Sequence, residues 1–533
     1  MAQSISSNSH DRIERVCLGC AVFATGAAVM IIEIVGARIL SPFFGVGLFA
    51  WSALIAVTLA SLAIGYAVGG RLSSRPTSDS QPNKRGTFST MILASGALVA
   101  IMPLETRWIL GHLGALDVRL GTLLAGSFLF APALLALGTL SPLAVGYVGA
   151  ARSISGGQAT GRVFAISTTG SLAGTLVAGF VLIPNLPLTS ILTWTSATLL
   201  SVGIALKTMA VGRRASPLLL MLCLPWILAN SAPNMEPMPG VRILESQTSL
   251  YGHLEVVEDT RRAPNILRLL RSDQSFLGGL WLPEREPAFG FVHLLEAIRL
   301  ARPNGSRMLL VGLGTGSLVT SLRHSGIETD VIEIDPQVVR LAKTYFGFEP
   351  TGTVHTEDAR TVLNNTSSRY DYIVHDTFTG GSMPAHMLTR ELFEATRGLL
   401  RPHGIVALNV VGAASGPLSA HVKAIASTLR SVFAEVRIFR DGEASSGDDT
   451  PLSNLVFFAA LEPIVFETAR PPFESPTCAK ILSQFSEWEV AVDSTGIPPI
   501  TDAQNPLEWL AIPMNESFRE TMLELYPPAF WLN

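Results

Sequence analysis

Four features in the second half of the chain have residue types and spacing suited to holding a nucleoside. Gly312, Gly314 and Gly316 form a G-x-G-x-G turn directly after the apolar run Met308 to Val311. A turn without Cβ atoms lets backbone approach a flat ligand closely. Glu333 closes the next apolar run, 21 residues past Gly312, and a carboxylate at that distance can accept both hydroxyls of a ribose. Asp358 follows the short run Thr353 to His355, placed to meet an adenine edge, and Asp376 ends the run Tyr370 to His375 and points into the same crevice. Any one of these acids alone reads as a solvated loop residue. In this order, after successive strands, they read as one site.

The elements that must position them can be read from the hydrophobic pattern. Phe291 to Arg302 is amphipathic, Met308 to Val311 a buried strand, Leu318 to His324 helical, Thr329 to Ile334 a strand and Pro336 to Tyr345 helical. Tyr370 to His375 and Gly404 to Asn409 add two strands with a helix between them, and a further helix and two strands, near 434 to 439 and 453 to 460, complete the set. Such alternation specifies a parallel sheet with helices on both faces, and ligands bind beyond the carboxyl ends of its strands. Before it, residues 241 to 285 alternate apolar and polar in short runs, the pattern of a small antiparallel sheet.

The first half is of another kind. Of 533 residues, 48% are hydrophobic and only 15% charged, against about a quarter charged in soluble globular chains. Apolar blocks fill residues 16 to 231, with seven stretches near 16 to 37, 48 to 70, 88 to 104, 120 to 148, 163 to 184, 188 to 206 and 216 to 231, to be compared with the roughly 20 residues that cross a bilayer. The first is too long an apolar run for a cleaved signal peptide and is followed by more spans. Gly170, Gly174 and Ala178 form a small-residue stripe, which predicts close helix packing within the chain or in a homo-oligomer. Glu33 falls inside the first span, where an ionisable group is costly unless functional or partnered. Cys17 and Cys20 lie in an apolar run with no second pair or nearby His, and are expected as core thiols. A net charge of −4 offers no field for nucleic acid. His293, His355, His375 and His386 lack metal-ligand spacing, so no metal is assigned.

The blocks LLVGLGTGSL (309 to 318), VIEIDPQVVRLAKTYFG (331 to 347), EDAR (357 to 360), YDYIVHDTF (370 to 378) and HMLTRELF (386 to 393) resemble the spermidine synthase (polyamine aminopropyltransferase) branch of the nucleoside-sulfonium transferases. The resemblance runs from about Ser249 to Glu462. The whole chain, including TDAQNPLEWL near its end, is similar to membrane-fused members of that branch, whose apolar half is often labelled major-facilitator-like. The resemblance implies an α-helical multi-pass membrane domain followed by a Rossmann-like α/β domain with a small antiparallel β-sheet before it. The boundaries expected are 1–15 (tail), 16–231 (membrane), 236–288 (small sheet), 289–465 (transferase) and 466–533 (extension). It further implies Glu333 on ribose, Asp358 on adenine, Asp376 as proton acceptor, Gln274 lining the entrance, decarboxylated S-adenosylmethionine as co-substrate with no permanently bound cofactor, and a small amine as acceptor.

Departures fall in the acceptor pocket. Thr315 and Thr379 stand where soluble members of the family carry amine-gripping Asp residues, and Gly252 follows Tyr251 in place of Gln. Because a diamine carries two charges whose burial needs paired carboxylates, these departures weaken the case for putrescine. A methyltransferase, which uses the same sheet, is the alternative, although Leu310 occupies the place where such enzymes usually carry the acid that holds the methionine amine. A non-catalytic nucleoside-binding domain regulating a membrane carrier is another. Basic residues place the amino terminus and loops 71 to 87, 149 to 162 and 207 to 215 in the cytoplasm, making this an inner-membrane protein. Seven crossings would then put residues 236 to 533 outside. The short stretch 216 to 231, which contains Pro225, is predicted to be re-entrant or interfacial, keeping the transferase-like domain in the cytoplasm.

Overall fold

The computed structural model describes residues 2–44, 48–74, 84–114, 116–152, 155–211, 238–273, 275–377, 384–442, 452–467, 475–526 and 530. It divides into two compact units, Met1–Met235 with Leu532–Asn533, and Glu236–Trp531.

In the first unit the helices are α1 (Ala2–Phe44), α2 (Leu48–Ser73), α3 (Lys84–Leu113), α4 (Val118–Gly138), α5 (Leu140–Arg152), α6 (Gly156–Val177) and α7 (Leu188–Val211). A π-turn, Ala178–Leu182, carries α6 on towards Asn185. Among the described residues, six stretches are long and apolar enough to cross a membrane: Val16–Phe44, Ala50–Ser73, Gly86–Leu113, Val118–Val148, Gly156–Asn185 and Leu188–Met209. The seventh apolar stretch, 216 to 231, lies outside the described residues. Large apolar side chains such as Phe180, Trp194 and Leu59 are exposed, as expected of surfaces that meet lipid.

Glycine sets the spacing of the helix pairs. A Cβ on Gly170 would strike the Phe23 carbonyl, one on Gly174 would lie 2.6 Å from the Ala27 carbonyl, and the Ser171 hydroxyl donates to the Gly26 carbonyl at 3.1 Å. The predicted small-residue stripe is therefore used within the chain, between α6 and α1. Gly65 and Gly69 of α2 likewise meet Leu135, Gly138 and Thr139, while Gly96 of α3 and Gly203 of α7 accept Leu200 and Leu93. Glu33 is half-buried well inside α1. The cysteine expectation needs correction: Cys17 is only half-buried and Cys20 is exposed, because the buried face of α1 there carries Leu18, Ala21 and Val22 instead.

The second unit opens with an antiparallel sheet in the order β1 (Val241–Thr248), β2 (His253–Asp259), β3 (Ile266–Ser272), β4 (Ser275–Leu282), β5 (Glu286–Pro287). A seven-stranded sheet follows, built from β6 (Arg307–Val311), β7 (Glu328–Ile332), β8 (Val354–His355), β9 (Tyr370–His375), β10 (Leu400–Gly412), β11 (Glu435–Arg440) and β12 (Ser453–Ala460). Its order is β11-β12-β10-β9-β6-β7-β8. Strands β8, β7, β6, β9 and β10 are parallel, whereas β12 runs antiparallel between β10 and β11. The chain thus passes from β10 through the helix Ala420–Arg430 to β11, which runs in the same direction, and returns as β12 in a hairpin that fills the gap between them.

The helices of this unit are α8 (Gly290–Leu295), α9 (Ile298–Ala301), α10 (Ser317–Leu322), α11 (Pro336–Phe346), α12 (Ala359–Asn365), α13 (Arg390–Gly398), α14 (Ala420–Arg430), α15 (Pro476–Gln484), α16 (Leu507–Leu510) and α17 (Ile512–Leu525). Alternation along the strands feeds two cores. Leu309, Val311 and Ile373 pack with Phe393 and Ile425 on one face, and Met308, Leu310 and Val374 with Leu294 and Leu322 on the other. The carboxy-terminal segment is tied to the small sheet. Buried Arg271 of β3 pairs with buried Glu255 of β2, donates to the Phe530 carbonyl at 2.7 Å and lies 4.2 Å from the Phe530 ring centroid. The Tyr526 hydroxyl donates to Asp259 at 3.2 Å.

Candidate functional site

The strand order reverses between β6 and β9, since β6 is followed by β7 and β8 on one side and its other neighbour is β9. A crevice at the carboxyl end of such a switch point is where open α/β sheets bind ligands. A cavity of about 480 Å³ lies there, lined by Gly312, Gly314, Glu333, Asp358, Asp376 and Asn409 among others.

Gly312 follows β6 with φ of +90°, and a Cβ there would strike the Asp376 carbonyl. The loops after β6 and β9 can approach this closely only because the residue is glycine. Gly314 lies equally close to the Leu277 carbonyl of β4. Gly316 differs: it begins α10 over the Phe348 ring and does not line the cavity.

Glu333, just past β7, takes the Leu313 N–H on Oε2 and the Asp335 N–H on Oε1, both at 3.0 Å. These bonds fix both carboxylate oxygens and leave each a lone pair for a ligand hydroxyl. Burial pushes the Glu333 carboxyl up to about 7 against the pull of those N–H groups. Asp376, just past β9, accepts from Asn409 Nδ2 at 2.9 Å and is pushed up to about 6 by burial, with the Asn409 bond acting the other way. A buried acid of this kind suits proton transfer near neutral pH. Asp358 caps α12 through Thr361 N–H at 3.1 Å and is half-buried at the rim.

Of the other residues singled out from the sequence, Thr315 is buried, shares a 2.6 Å hydrogen bond with Ser317 and does not line the cavity. Gln274 and Thr379 lie outside the described residues. His386 lines the cavity, His375 is buried beneath it and driven down to about 4 by burial, His355 is half-buried in β8, and His293 belongs to a separate cluster.

Sequence reasoning missed several lining residues. Asn409 is one; its Oδ1, like the hydroxyls of Ser275 and Ser453, is buried without a hydrogen-bond partner. A lone polar residue in the strand GIVALNVVG was its only signal. Phe518, Thr521 and Met522 of α17 also line the cavity, brought there by the carboxy-terminal segment. Orphaned polar atoms facing a cavity are costly unless a ligand or water satisfies them.

The second sheet belongs to a Rossmann-like α/β fold with an acid-lined crevice at its switch point. Residues 294–439, within the second unit, match the family model of the spermine/spermidine synthase domain, and among the described residues six long apolar helices precede them. The chain is 32% identical over 259 residues to an N-terminal histidine N-methyltransferase of Emericella nidulans, covering 44% of this chain and 45% of that protein. It is 36% identical over 174 residues to a polyamine aminopropyltransferase of Vibrio vulnificus, covering 31% and 56%. A probable spermidine synthase from Corynebacterium glutamicum aligns with a TM-score of 0.39 at 17% identity, over 49% of this chain and 96% of that one. The chain spans about half the length of the curated relatives it matches.

Proposed function

We propose that the second unit transfers an aminopropyl group from decarboxylated S-adenosylmethionine to a small amine, with the first unit anchoring it in the membrane. The observation that carries this is the charge of the cavity. Glu333, Asp335, Glu357, Asp358 and Asp376 line it, and among the described lining residues there is no Lys or Arg. The neighbouring sequences 378–383 and 443–451 contain none either. A decarboxylated donor is cationic at both sulfur and nitrogen, and an acid-only wall suits it. Intact S-adenosylmethionine brings a carboxylate that would face these acids with His386 and neutral hydroxyl, amide and backbone N–H donors as partners, and with no Lys or Arg among the described lining residues.

In the reaction the amine nitrogen attacks the propyl carbon bonded to sulfur. The new C–N bond forms as the C–S bond breaks, and sulfur keeps the electron pair as a neutral thioether. Asp376 takes the amine proton, and Asn409 holds Asp376 in the orientation to do so. Glu333 binds ribose and Asp358 meets the adenine edge. With Thr315 turned into the protein, the acceptor is an amine other than a tightly gripped diamine.

A second reading, N-methyl transfer, is favoured by the similarity to the histidine N-methyltransferase. Full-length protein in detergent, given both donors and a mixture of amines, separates the two by mass spectrometry: aminopropylated products support the proposal, and methylated products with none aminopropylated overturn it. We further propose that the amino terminus is cytoplasmic and that segment 216 to 231 does not cross. Six crossings then return the chain to the cytoplasm, where the donor is made. Alkaline phosphatase activity from a reporter fused after Asn533 would contradict this.

A further inference from the structure

Away from the cavity, α8 meets the start of α15. His293 on α8, Glu296 at its end and Cys478 in the first turn of α15 each present a ligand atom, and the three atoms lie within 4.8 Å of one another. All three residues are buried, at 1%, 3% and 1% exposure. Neither ring nitrogen of His293 makes a hydrogen bond of good geometry, and Glu296 Oε1 makes none. The other oxygen of Glu296 faces Arg299 Nη1 at 3.8 Å.

We propose that His293, Glu296 and Cys478 form a zinc site. Imidazole, carboxylate and thiolate are the donors a borderline-soft dication takes, and thiolate with imidazole argues against magnesium or calcium. Zinc bonds of about 2.0–2.3 Å require the three atoms to close in by only a short distance. A dication with one carboxylate and one thiolate is neutral, as a buried centre requires, and one ion satisfies Glu296 Oε1 and one ring nitrogen of His293 together. The residue spacing fits: His293 and Glu296 are three apart, on one face of a helical turn. The first turn of α15 is fixed by the Ser475 hydroxyl, which accepts the Cys478 N–H at 3.1 Å and itself donates to Glu286. Glu286 also acts electrostatically on all three ligands. The site is a staple: it pins the segment after β12 to the helix that precedes β6. Three protein donors leave a tetrahedral position for an exogenous ligand.

The competing arrangement is metal-free, with the Cys478 thiol and the Ser321 hydroxyl donating to Glu296 and His293 facing the Pro287 carbonyl. To separate them, full-length protein carrying Cys17→Ser, Cys20→Ser and Cys223→Ser, so that Cys478 is the remaining thiol, is stripped with chelator and titrated with Co²⁺ and then Zn²⁺. One Co²⁺ per chain, with thiolate-to-cobalt charge-transfer absorption that Zn²⁺ abolishes, is expected. The absence of that absorption overturns the proposal without requiring any ligand variant to fold. His293→Gln should weaken binding by at least the 10–100-fold typical of outer-shell losses, about one to two orders of magnitude, while retaining methylthioadenosine binding as the check on folding. Unchanged Co²⁺ affinity in that folded variant removes His293 from the site and overturns the three-ligand assignment.

Discussion

The two units treat buried polarity in opposite ways. In the first, most of the described serine and threonine hydroxyls turn back onto their own helices, as Ser61 does to Val57 at 2.6 Å and Thr195 to Ile191 at 2.8 Å, and Ser171 and Ser196 reach carbonyls of a neighbouring helix. Glycines then bring backbones together. Among its described residues only Thr58 has a buried side-chain polar atom without a partner. In the second unit such atoms occur at several places among the described residues: Ser275, Asn409 and Ser453 on the cavity, His293 with Glu296 beside Cys478, and others elsewhere, as at Thr329 and His421. A packed bundle in lipid must satisfy its polar groups internally, whereas a binding site keeps some unsatisfied for its ligand. On the proposed function the first unit is the scaffold and the second the reactive part.

The largest effect that sharpens this contrast is at Asp376. Asp376→Asn should lower turnover by about two to four orders of magnitude, the scale of general-base catalysis, while methylthioadenosine binds within a few-fold of the parent. Steady-state kinetics beside calorimetry reads both, and full activity in the variant would remove Asp376 from proton transfer. On the scaffold side, Gly170→Leu should separate α6 from α1 and lower thermal stability by about 2–4 kcal/mol, as severe overpacking does, with nucleoside affinity unchanged. Loss of nucleoside binding with no loss of stability would break the division of labour. Glu333→Gln should weaken methylthioadenosine binding by about 1.5–3 kcal/mol, the worth of hydrogen bonds to a charged group.

A pH series probes the same acids. Burial raises Glu333 from 4.5 to about 7 and Asp376 from 3.8 to about 6. Both therefore bind protons more tightly folded than unfolded; their stabilisation is complete below the unfolded values and is lost as pH climbs through about 6 to 7. In ligand-free protein, Asp376→Asn should gain stability relative to the parent over that rise, and a cationic donor should offset the loss. Melting curves across pH check the sign. The smallest effect is expected from Tyr526→Phe, which removes the bond to Asp259 and should cost about 0.5–1.5 kcal/mol by chemical denaturation.

Much of the site was legible because its parts are local. Gly312, Glu333 and Asp376 each sit immediately beyond an apolar strand, so strand pattern and residue type locate them together. Asn409 was harder to see: its strand is central and apolar, and only pairing of β10 beside β9 brings it to Asp376. The contribution of α17 could not be read, since Arg271 and Asp259 tie down residues more than half the second unit away in sequence. Thr315 occupies the expected position in the glycine turn, yet it packs against Gly278, whose lack of a Cβ admits that approach. Helix spans were legible from composition, and the glycine stripe was too, but which helix it meets depended on the tertiary arrangement of α1 and α6.

The central claim is that the acid-only cavity selects a donor without a carboxylate. Calorimetric titration of full-length protein in detergent with decarboxylated and intact S-adenosylmethionine, at the same pH and salt, tests it most directly. The account predicts at least about tenfold tighter binding of the decarboxylated donor, a difference of about 1.4 kcal/mol. Equal affinity, or tighter binding of the intact donor, would contradict it.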